Sequence, residues 1–156
     1  MRKLNIGNYL LITFLFPTVV FAKIISGEVI KISDGDTLTI LTNENKQIKI
    51  RLSEIDAPEK NQAYGKVSRQ ALADLCFRKH AIIYSIGKDK YGRTLGRVNC
   101  NAIDANAEQI KTGMAWVYDK YVTDKSLYEL QKTAKNQKLG LWADENPTPP
   151  WLFRRN

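Results

Sequence analysis

Alternating apolar and polar positions predict three short β-strands in the first half of the chain. The strands cover residues 24–33, 37–42 and 47–52. Asp34-Gly35 and the polar segment 43–45 separate them with residues that tight turns favour. Because the connections are this short, we expect neighbouring strands to pair antiparallel as a meander.

Helical spacing of apolar residues then alternates with two further strands. Residues 65–77 repeat apolar side chains at intervals that predict a helix, and strands are predicted over 81–86 and 95–99. Two more helices are predicted over 103–111 and 125–138, each followed by a glycine. This order favours an α+β fold, a five-stranded Greek-key β-barrel of the OB type with three helices.

The first 22 residues are predicted to be a secretory signal peptide that is not part of the fold. Two basic residues precede an apolar run that ends at Val20-Phe21-Ala22, and the run is too short for a comfortable membrane span. We therefore predict cleavage near Ala22, export to the periplasm or the cell exterior, and no membrane span in the mature chain. An uncleaved membrane anchor is the alternative. The remainder is interpreted as one domain over 23–143 and a Pro-rich, basic tail over 144–156.

The charge balance points to an anionic partner. The chain carries a formal charge of +8, and about +6 is left once the signal is removed. A basic surface attracts polyanions because bound Lys and Arg release counterions from a phosphate backbone. Anionic lipid or glycan would be attracted by the same charge, so charge alone leaves the partner open. We expect a monomer without a stable protein partner.

The chain has two cysteines, Cys76 and Cys100. In an exported protein they can oxidise, and both lie at the ends of predicted elements. We therefore favour a disulfide between them, with two buried free thiols as the alternative.

Three short clusters carry residues suited to chemistry. The first, Asp34-Gly35-Asp36-Thr37, puts two carboxylates in a tight turn, and carboxylate oxygens suit Ca²⁺ or Mg²⁺. The second, from Arg51 to Glu59, combines an arginine with carboxylates on either side of Pro58. The third, Asp89-Lys90-Tyr91-Gly92-Arg93, presents two cations and an aromatic ring, which suits a phosphate and a base. Taken singly, each cluster is equally well explained as a turn or a surface ion pair.

Together and in this order, the clusters resemble the staphylococcal nuclease (thermonuclease) family. The segments Gly113-Met114-Ala115 and Leu139-Gly140-Leu141-Trp142 match as well, so the resemblance spans about residues 24–142. It implies an OB-fold enzyme that uses one Ca²⁺ ion to hydrolyse the phosphodiester bonds of DNA and RNA and leaves 3′-phosphate products.

The resemblance also implies which residues hold the metal. Asp36 and Asp56 match the carboxylate ligands, and the backbone carbonyl of Ala57 is implied as a third ligand. Asp34 lies beside them and is implied to act indirectly. Ala57 is a departure, because the best-known family member has Thr there, and a hydroxyl is lost.

The remaining implied roles concern the substrate. Arg51 and Arg93 match the phosphate-binding arginines, and Glu59 matches the candidate general base, which either deprotonates or merely orients the attacking water. Lys90 and Tyr91 match contacts to a neighbouring phosphate and base.

Part of the nucleotide pocket is harder to match. Tyr118 is the candidate for a further base contact, with Tyr121 as the alternative, because the region after residue 117 is shorter than in the family. The loop over residues 59–64 is shorter too, so substrate gating can differ.

Histidine chemistry is excluded as the main mechanism, because the chain has one histidine, His80, which we interpret as structural. The main rival function is an OB-fold module that binds single-stranded nucleic acid without cutting it. A second rival is a basic envelope protein that binds anionic lipid or glycan. The presence of all the matching carboxylates and arginines favours the enzyme.

Overall fold

The computed structural model describes residues 23–155, so the predicted signal segment, residues 1–22, lies outside the described residues. The strands are β1 (Lys23–Asp34), β2 (Thr37–Leu41), β3 (Gln47–Leu52), β4 (Ile55–Asp56), β5 (His80–Lys88), β6 (Thr94–Cys100), β7 (Ile103–Asp104) and β8 (Trp116–Val117). The helices are α1 (Gly65–Cys76), α2 (Ala105–Lys111), α3 (Ser126–Asn136), a 3-10 helix (Gly140–Ala143) and α4 (Pro150–Phe153). No helix in this described part of the chain is both long and apolar enough to cross a membrane.

Five strands form a closed barrel in the order β3-β2-β1-β5-β6, and the parallel pairing of β3 with β6 closes it. The long strand β1 pairs with two neighbours, with β5 along its first half and with β2 along its second half. Register irregularities after Val29 and after Ile32 accompany this change of partner. The predicted α+β fold, an OB-type barrel with helices, is confirmed.

The barrel interior is filled by the alternate apolar side chains of the strands. Leu38, Ile40, Ile50, Leu52 and Ile83 are all fully buried. Burial of a side chain of this size stabilises a fold by about 1.5–3 kcal/mol. Helix α1 packs on β1, and α2 packs between α1 and α3, so the helices cover the barrel on one side.

The start of α2 differs from the prediction. A helix was predicted over 103–111, but Ile103 and Asp104 pair with the end of β6 as strand β7, and the helix begins at Ala105. Asp104 caps the helix, since its carboxylate accepts a hydrogen bond from the backbone N–H of Ala107 at 3.0 Å. The prediction was wrong for these two residues because strand pairing at the barrel rim satisfies their backbone before the helix starts.

Several short elements were not predicted from the sequence. Strand β4 pairs with β8 through Ile55 opposite Val117 and Asp56 opposite Trp116, which fixes the backbone of the loop that carries Asp56. The Pro-rich segment near the end of the chain contains helix α4. Elements this short carry too few residues to show a periodic pattern.

The predicted disulfide is present and joins Cys76 at the end of α1 to Cys100 at the end of β6. The two residues are 24 positions apart in the sequence. Closing a loop of this length in the unfolded chain corresponds to about 3 kcal/mol in the chain-entropy model. The bond therefore ties the helical layer to the barrel.

An ion-pair network around Arg97 holds the loop after β8 to the barrel. The Arg97 guanidinium donates to Asp104 at 2.7 Å, to Glu54 at 3.0 Å and to Asp124 at 3.1 Å. Glu54 also accepts hydrogen bonds from the backbone N–H groups of Thr123 at 2.7 Å and Asp124 at 2.8 Å. Burial alone raises the pKa of Glu54, but the hydrogen bonds from Thr123, Asp124 and Arg97 outweigh it and hold the pKa below its ordinary value.

Replacing Glu54 with Gln should destabilise the fold more at neutral pH than in acid. A carboxyl group with a depressed pKa stabilises the folded state fully above its unfolded-state pKa, about 4.3, and loses that contribution as the pH falls through the folded-state value. Urea unfolding of wild type and Glu54→Gln at about pH 7 and about pH 3.5 checks this. The difference in free energy of unfolding should shrink in acid, whereas Glu28→Gln, at an exposed ion pair with Arg78, should change stability by less than about 0.5 kcal/mol. A Glu54 difference that is the same at both pH values would contradict the prediction.

Candidate active site

The acidic turn between β1 and β2 places Asp36 at one end of the barrel. Asp36 is 5% exposed, and its Oδ1 accepts a hydrogen bond from the Thr37 hydroxyl at 3.0 Å. The backbone N–H of Asp36 donates to Asp34 Oδ1 at 3.2 Å, so the two acids of the turn lie side by side. Gly35 between them packs so tightly that an added Cβ would lie 1.8 Å from the Ser68 hydroxyl oxygen. The turn therefore needs glycine at this position.

Arg51, which points outward from the end of β3, joins two buried carboxylates. Its Nη2 lies 3.0 Å from Asp36 Oδ2 and 2.8 Å from Asp56 Oδ1. The other end of the guanidinium is fixed by the backbone, because Nη1 donates to the carbonyl of Ile55 at 2.9 Å and to that of Leu52. Residues that are far apart in the sequence thus meet around one arginine.

The loop after β4 closes the cluster from the other side. The backbone N–H of Ala57 donates to Asp36 Oδ2 at 2.7 Å, so the loop bearing Asp56 is bonded directly to the acidic turn. Ala57 is 4% exposed and Asp56 is 1% exposed. This hydrogen bond holds the predicted metal ligands, Asp36, Asp56 and Ala57, within one site.

Gln109 of α2 supports the acidic turn from behind and was not identified from the sequence. Its fully buried side chain donates from Nε2 to the carbonyl of Gly35 at 2.7 Å and to that of Ser68 at 3.1 Å. Ser68 in turn donates its hydroxyl to the carbonyl of Met114 at 2.6 Å. The sequence did hold a signal for Gln109, because it is a polar residue at a position of the helix that otherwise faces the core. A buried amide usually bonds a backbone group that needs a partner.

Glu59 lies next to Asp56, and both contact a residue from the end of the chain. Arg154 Nη2 lies 2.8 Å from Asp56 Oδ2, and its Nη1 lies 3.2 Å from Asp56 Oδ1 and 2.6 Å from Glu59 Oε1. The Glu59 backbone is fixed by Gln62, whose side-chain oxygen accepts from the Glu59 N–H at 3.0 Å. Arg154 was not identified from the sequence, because a basic residue in a Pro-rich terminal segment carries no signal of its partner.

The site is rich in negative charge. Burial, with the nearby charge and hydrogen bond of Asp36, raises the pKa of Asp34 to about 7. Burial also raises the pKa of Asp56, with the charge of Asp36 acting in the same direction, although the arginines Arg154 and Arg51 oppose it. Carboxylates that are held together in this way favour an additional positive charge among them.

The donor set fits a divalent cation such as Ca²⁺. Asp36 Oδ2 and Asp56 Oδ1 converge on the same nitrogen of Arg51, so hard oxygens from the β1–β2 turn and from β4 lie close together. The residues described in the structure contain no group of three or more His, Cys, Asp or Glu side chains that could hold a metal by themselves. A metal here would therefore take its remaining ligands from carbonyl oxygens and water.

Arg93 comes directly before β6, the strand that pairs with β3. In that parallel pairing Arg51 is opposite Leu95, so Arg93 lies two residues along the chain from the neighbour of Arg51. Its Nε donates to Asp89 Oδ2 at 2.7 Å, so the side chain is held beside the turn. Among the described residues it forms no hydrogen bond or ion pair with Asp36, Asp56 or Glu59.

The other predicted substrate contacts fall into two aromatic groups. The Tyr91 ring is 72% exposed and lies beneath both Lys90 Nζ and the Arg93 guanidinium, at 5.0 and 5.5 Å from its centroid. Tyr118 contacts Tyr121 edge to face at 5.0 Å and stacks on Trp151 of α4 at 5.5 Å. Tyr118 and Tyr121, the candidate and the alternative for the further base contact, therefore belong to one cluster, which Trp151 extends.

Replacing Gln109 with Leu should weaken both the fold and the acidic turn. Leu keeps the volume but leaves the Gly35 and Ser68 carbonyls without their donor, which costs about 1–3 kcal/mol for a buried group. Chemical denaturation should show a loss of stability in this range, whereas Gln137→Leu, at an exposed position after α3, should change stability by less than about 0.5 kcal/mol. A fully stable Gln109→Leu protein would show that the amide does not support the turn.

Comparison with known proteins gives a consistent set of matches. Residues 49–144 match the model of a family described as staphylococcal nuclease homologue. An uncharacterized endonuclease of Haemophilus influenzae is 50% identical over 127 residues, which cover 81% of this chain and 71% of that protein. The micrococcal nuclease of Shigella flexneri is 44% identical over 140 residues, covering 83% and 80% of the two chains. An uncharacterized endonuclease of Escherichia coli O157:H7 is 40% identical over 145 residues, covering 92% and 94%.

The matched region of the family model leaves out both ends of the site. It begins after Asp36 and ends before Trp151 and Arg154. Its span does include Arg51, Asp56 and the loop that follows them.

Proposed function

This chain belongs to the staphylococcal nuclease family, and on that premise we propose that it is an exported, Ca²⁺-dependent nuclease that cuts both DNA and RNA. That it is a nuclease, a hydrolase of phosphodiester bonds, follows from the family and from relatives named as endonuclease or micrococcal nuclease. The proposal of a Ca²⁺-dependent mechanism rests on one observation. Asp36, Arg51 and Asp56 converge at one end of the barrel, with Glu59 beside them.

Asp36 and Asp56 would hold a single Ca²⁺ ion, with the carbonyl of Ala57 as a third ligand. When bound, the ion supplies positive charge at a phosphoryl oxygen and lowers the pKa of a coordinated water. The proposal is supported by the hard oxygen donors of the two aspartates and by the excess of carboxylates around them.

Arg51 and Arg93 would bind the scissile phosphate. A guanidinium group is permanently charged, and its planar fork fits two phosphate oxygens. Arg51 is supported in this role by the carbonyls of Leu52 and Ile55, which hold its orientation before any substrate arrives. Such preorganised donors cost no reorganisation when negative charge develops on the phosphate.

Glu59 would accept a proton from the attacking water or orient it. Its side chain is 39% exposed, so water can reach it, and its backbone is tied to Gln62. Because the carboxylate is beside the phosphate-binding groups and not needed as a metal ligand, it can face the substrate. We propose 3′-phosphate products, as in the family.

Lys90, Tyr91 and Tyr118 would bind the parts of the substrate next to the scissile bond. The exposed ring of Tyr91 offers a face to a base, and Lys90 offers a charge to a neighbouring phosphate. These contacts depend little on base identity, which supports action on both DNA and RNA. We propose that the enzyme acts as a monomer without a stable protein partner.

Residues 1–22 would direct export as a signal peptide and would then be removed near Ala22. The Cys76–Cys100 disulfide supports this proposal, because disulfides persist in oxidising compartments such as the periplasm or the cell exterior.

The activity should require Ca²⁺. We expect purified protein comprising residues 23–156 to shorten single- and double-stranded DNA and RNA on a gel in the presence of Ca²⁺, and to leave them intact in EGTA. The physical reason is that two buried carboxylates repel a phosphate unless a cation lies between them. Full cutting in EGTA would refute the calcium assignment, and binding of DNA without any cutting would favour the alternative of a non-catalytic OB-fold module.

Replacing Arg93 with Ala should remove most of the activity while the protein stays folded. Loss of one preorganised donor to a developing oxyanion lowers turnover by about 10²–10³-fold. Arg78→Ala is the matched control, since Arg78 is 68% exposed and pairs with Glu28 away from the site. Initial rates on single-stranded DNA with Ca²⁺, and thermal unfolding of each variant, measure both effects. Equal rates for the two variants would remove Arg93 from the site.

A further inference from the structure

The end of the chain is docked on the proposed active site. The Gln62 side chain donates to the carbonyl of Thr148 at 2.6 Å, and Pro150 is buried. Trp151 packs edge to face on Trp116 at 5.6 Å and lies parallel to Tyr118 at 5.5 Å, with an angle of 4° between the rings. These contacts come from the loop after β4 and from β8 with the residue that follows it, so they fix where helix α4 and the residue after it lie.

Docking of α4 brings the Arg154 guanidinium to Asp56, a proposed metal ligand, and to Glu59, the candidate general base. It contacts both oxygens of Asp56 and Oε1 of Glu59, at distances of 2.6 to 3.2 Å. Arg51 also contacts Asp56 Oδ1, so two guanidinium groups flank one carboxylate oxygen. Unlike Arg51, whose side chain is 11% exposed, the Arg154 side chain is 41% exposed and opens to solvent.

We propose that Arg154 is a further substrate-binding residue, a third arginine that contacts the phosphodiester beside Arg51. The inference rests on the proposed nuclease function. A guanidinium that sits at the mouth of the site, next to both the candidate base and an established partner of Arg51, is within reach of an anion bound there. Its planar fork suits phosphate oxygens as well as the carboxylates it now contacts.

The charge balance of the site supports a role in binding substrate. Asp36, Asp56 and Glu59 carry three negative charges, and Arg51 with Arg154 carries two positive ones, while Arg93 is neutralised by Asp89. Asp34, beside Asp36, is a further acid of the site, so with a divalent cation the sum is at most +1, enough to balance the single negative charge of one phosphodiester. Without Arg154 the sum would be at most zero, and these groups would exert no net attraction on the phosphate.

Arg154 can keep one contact while it takes on another. Its bonds run to Asp56 and to Glu59 separately. If the Asp56 oxygens are taken up by the cation, the guanidinium is still anchored by Glu59 and by the docking of α4. Its remaining N–H groups are then available to the phosphate, and its contact with Glu59 keeps that carboxylate oriented.

The test compares Arg154→Gln with Arg155→Gln in the full mature chain. Arg155 is exposed and makes no side-chain hydrogen bond or ion pair within residues 23–155, so its substitution removes the same charge from the same tail without touching the site. On single-stranded DNA with saturating Ca²⁺, Arg154→Gln should lower kcat/KM by about 10- to 100-fold, as loss of a charged hydrogen bond does. Arg155→Gln should stay within about twofold of wild type.

Two further measurements separate substrate binding from a structural role. The slope of log kcat/KM against log salt concentration should become less steep by about one in Arg154→Gln, the change expected when one phosphate contact is lost. The slope should remain unchanged in Arg155→Gln. Calorimetric titration with Ca²⁺ alone should show that Arg154→Gln binds the ion at least as tightly as wild type, because a competing cation has been removed. Arg154→Lys, which keeps the charge but not the fork, should fall between wild type and Gln and replaces the Gln variant if the latter does not fold.

Several results would overturn the inference. Equal kcat/KM for Arg154→Gln and Arg155→Gln would show that Arg154 does not touch the substrate. A faster Arg154→Gln enzyme would mean that the tail blocks the site, and weaker Ca²⁺ binding would trace the loss of activity to the metal. A wild-type protein that cuts no nucleic acid would overturn the proposed function itself, which is a separate result from any difference between variants.

Discussion

The meeting of Asp36 and Asp56 on a single nitrogen of Arg51 is the constraint around which the rest of the site is arranged. Two carboxylates that are almost fully excluded from water repel each other, and burial favours their neutral forms. Arg51 offsets this with one charge, and its other nitrogen is held by backbone carbonyls so that it cannot turn away. The remaining negative charge is met by Arg154, which contacts both oxygens of Asp56.

The barrel supplies this geometry through strand pairing. Asp36 is fixed because β1 and β2 form a hairpin, Arg51 because β3 pairs with β2, and Asp56 because β4 pairs with β8. Behind the acidic turn, the buried amide of Gln109 satisfies a carbonyl that would otherwise lie in the core without a partner. Precise placement of the carboxylates is thus a property of the whole rim of the barrel, since no single loop holds them.

The C-terminal segment contributes to the site although it lies outside the matched span of the family model. The family match ends before Trp151 and Arg154, yet these residues lie against Tyr118 and against Asp56 with Glu59. A short helix of this kind is too small to be stable alone. It is held by aromatic stacking and ion pairs with the site, so its position and the state of the site depend on each other.

The sequence alone predicted the strand pattern, the main helices and the OB-type barrel, because alternation, helical spacing and turn residues are local signals. It favoured a disulfide between Cys76 and Cys100 over two free thiols, and the structure has that bond. It also singled out the short clusters that carry the carboxylates and arginines, because those residue types occur there at recognisable spacing. Only the tertiary structure decided which side chains contact each other. The contacts of Arg51 with Asp36, of Gln109 with Gly35 and of Arg154 with Asp56 join residues from different elements. Such contacts follow from how the chain closes on itself, and a one-dimensional pattern does not contain that distance information.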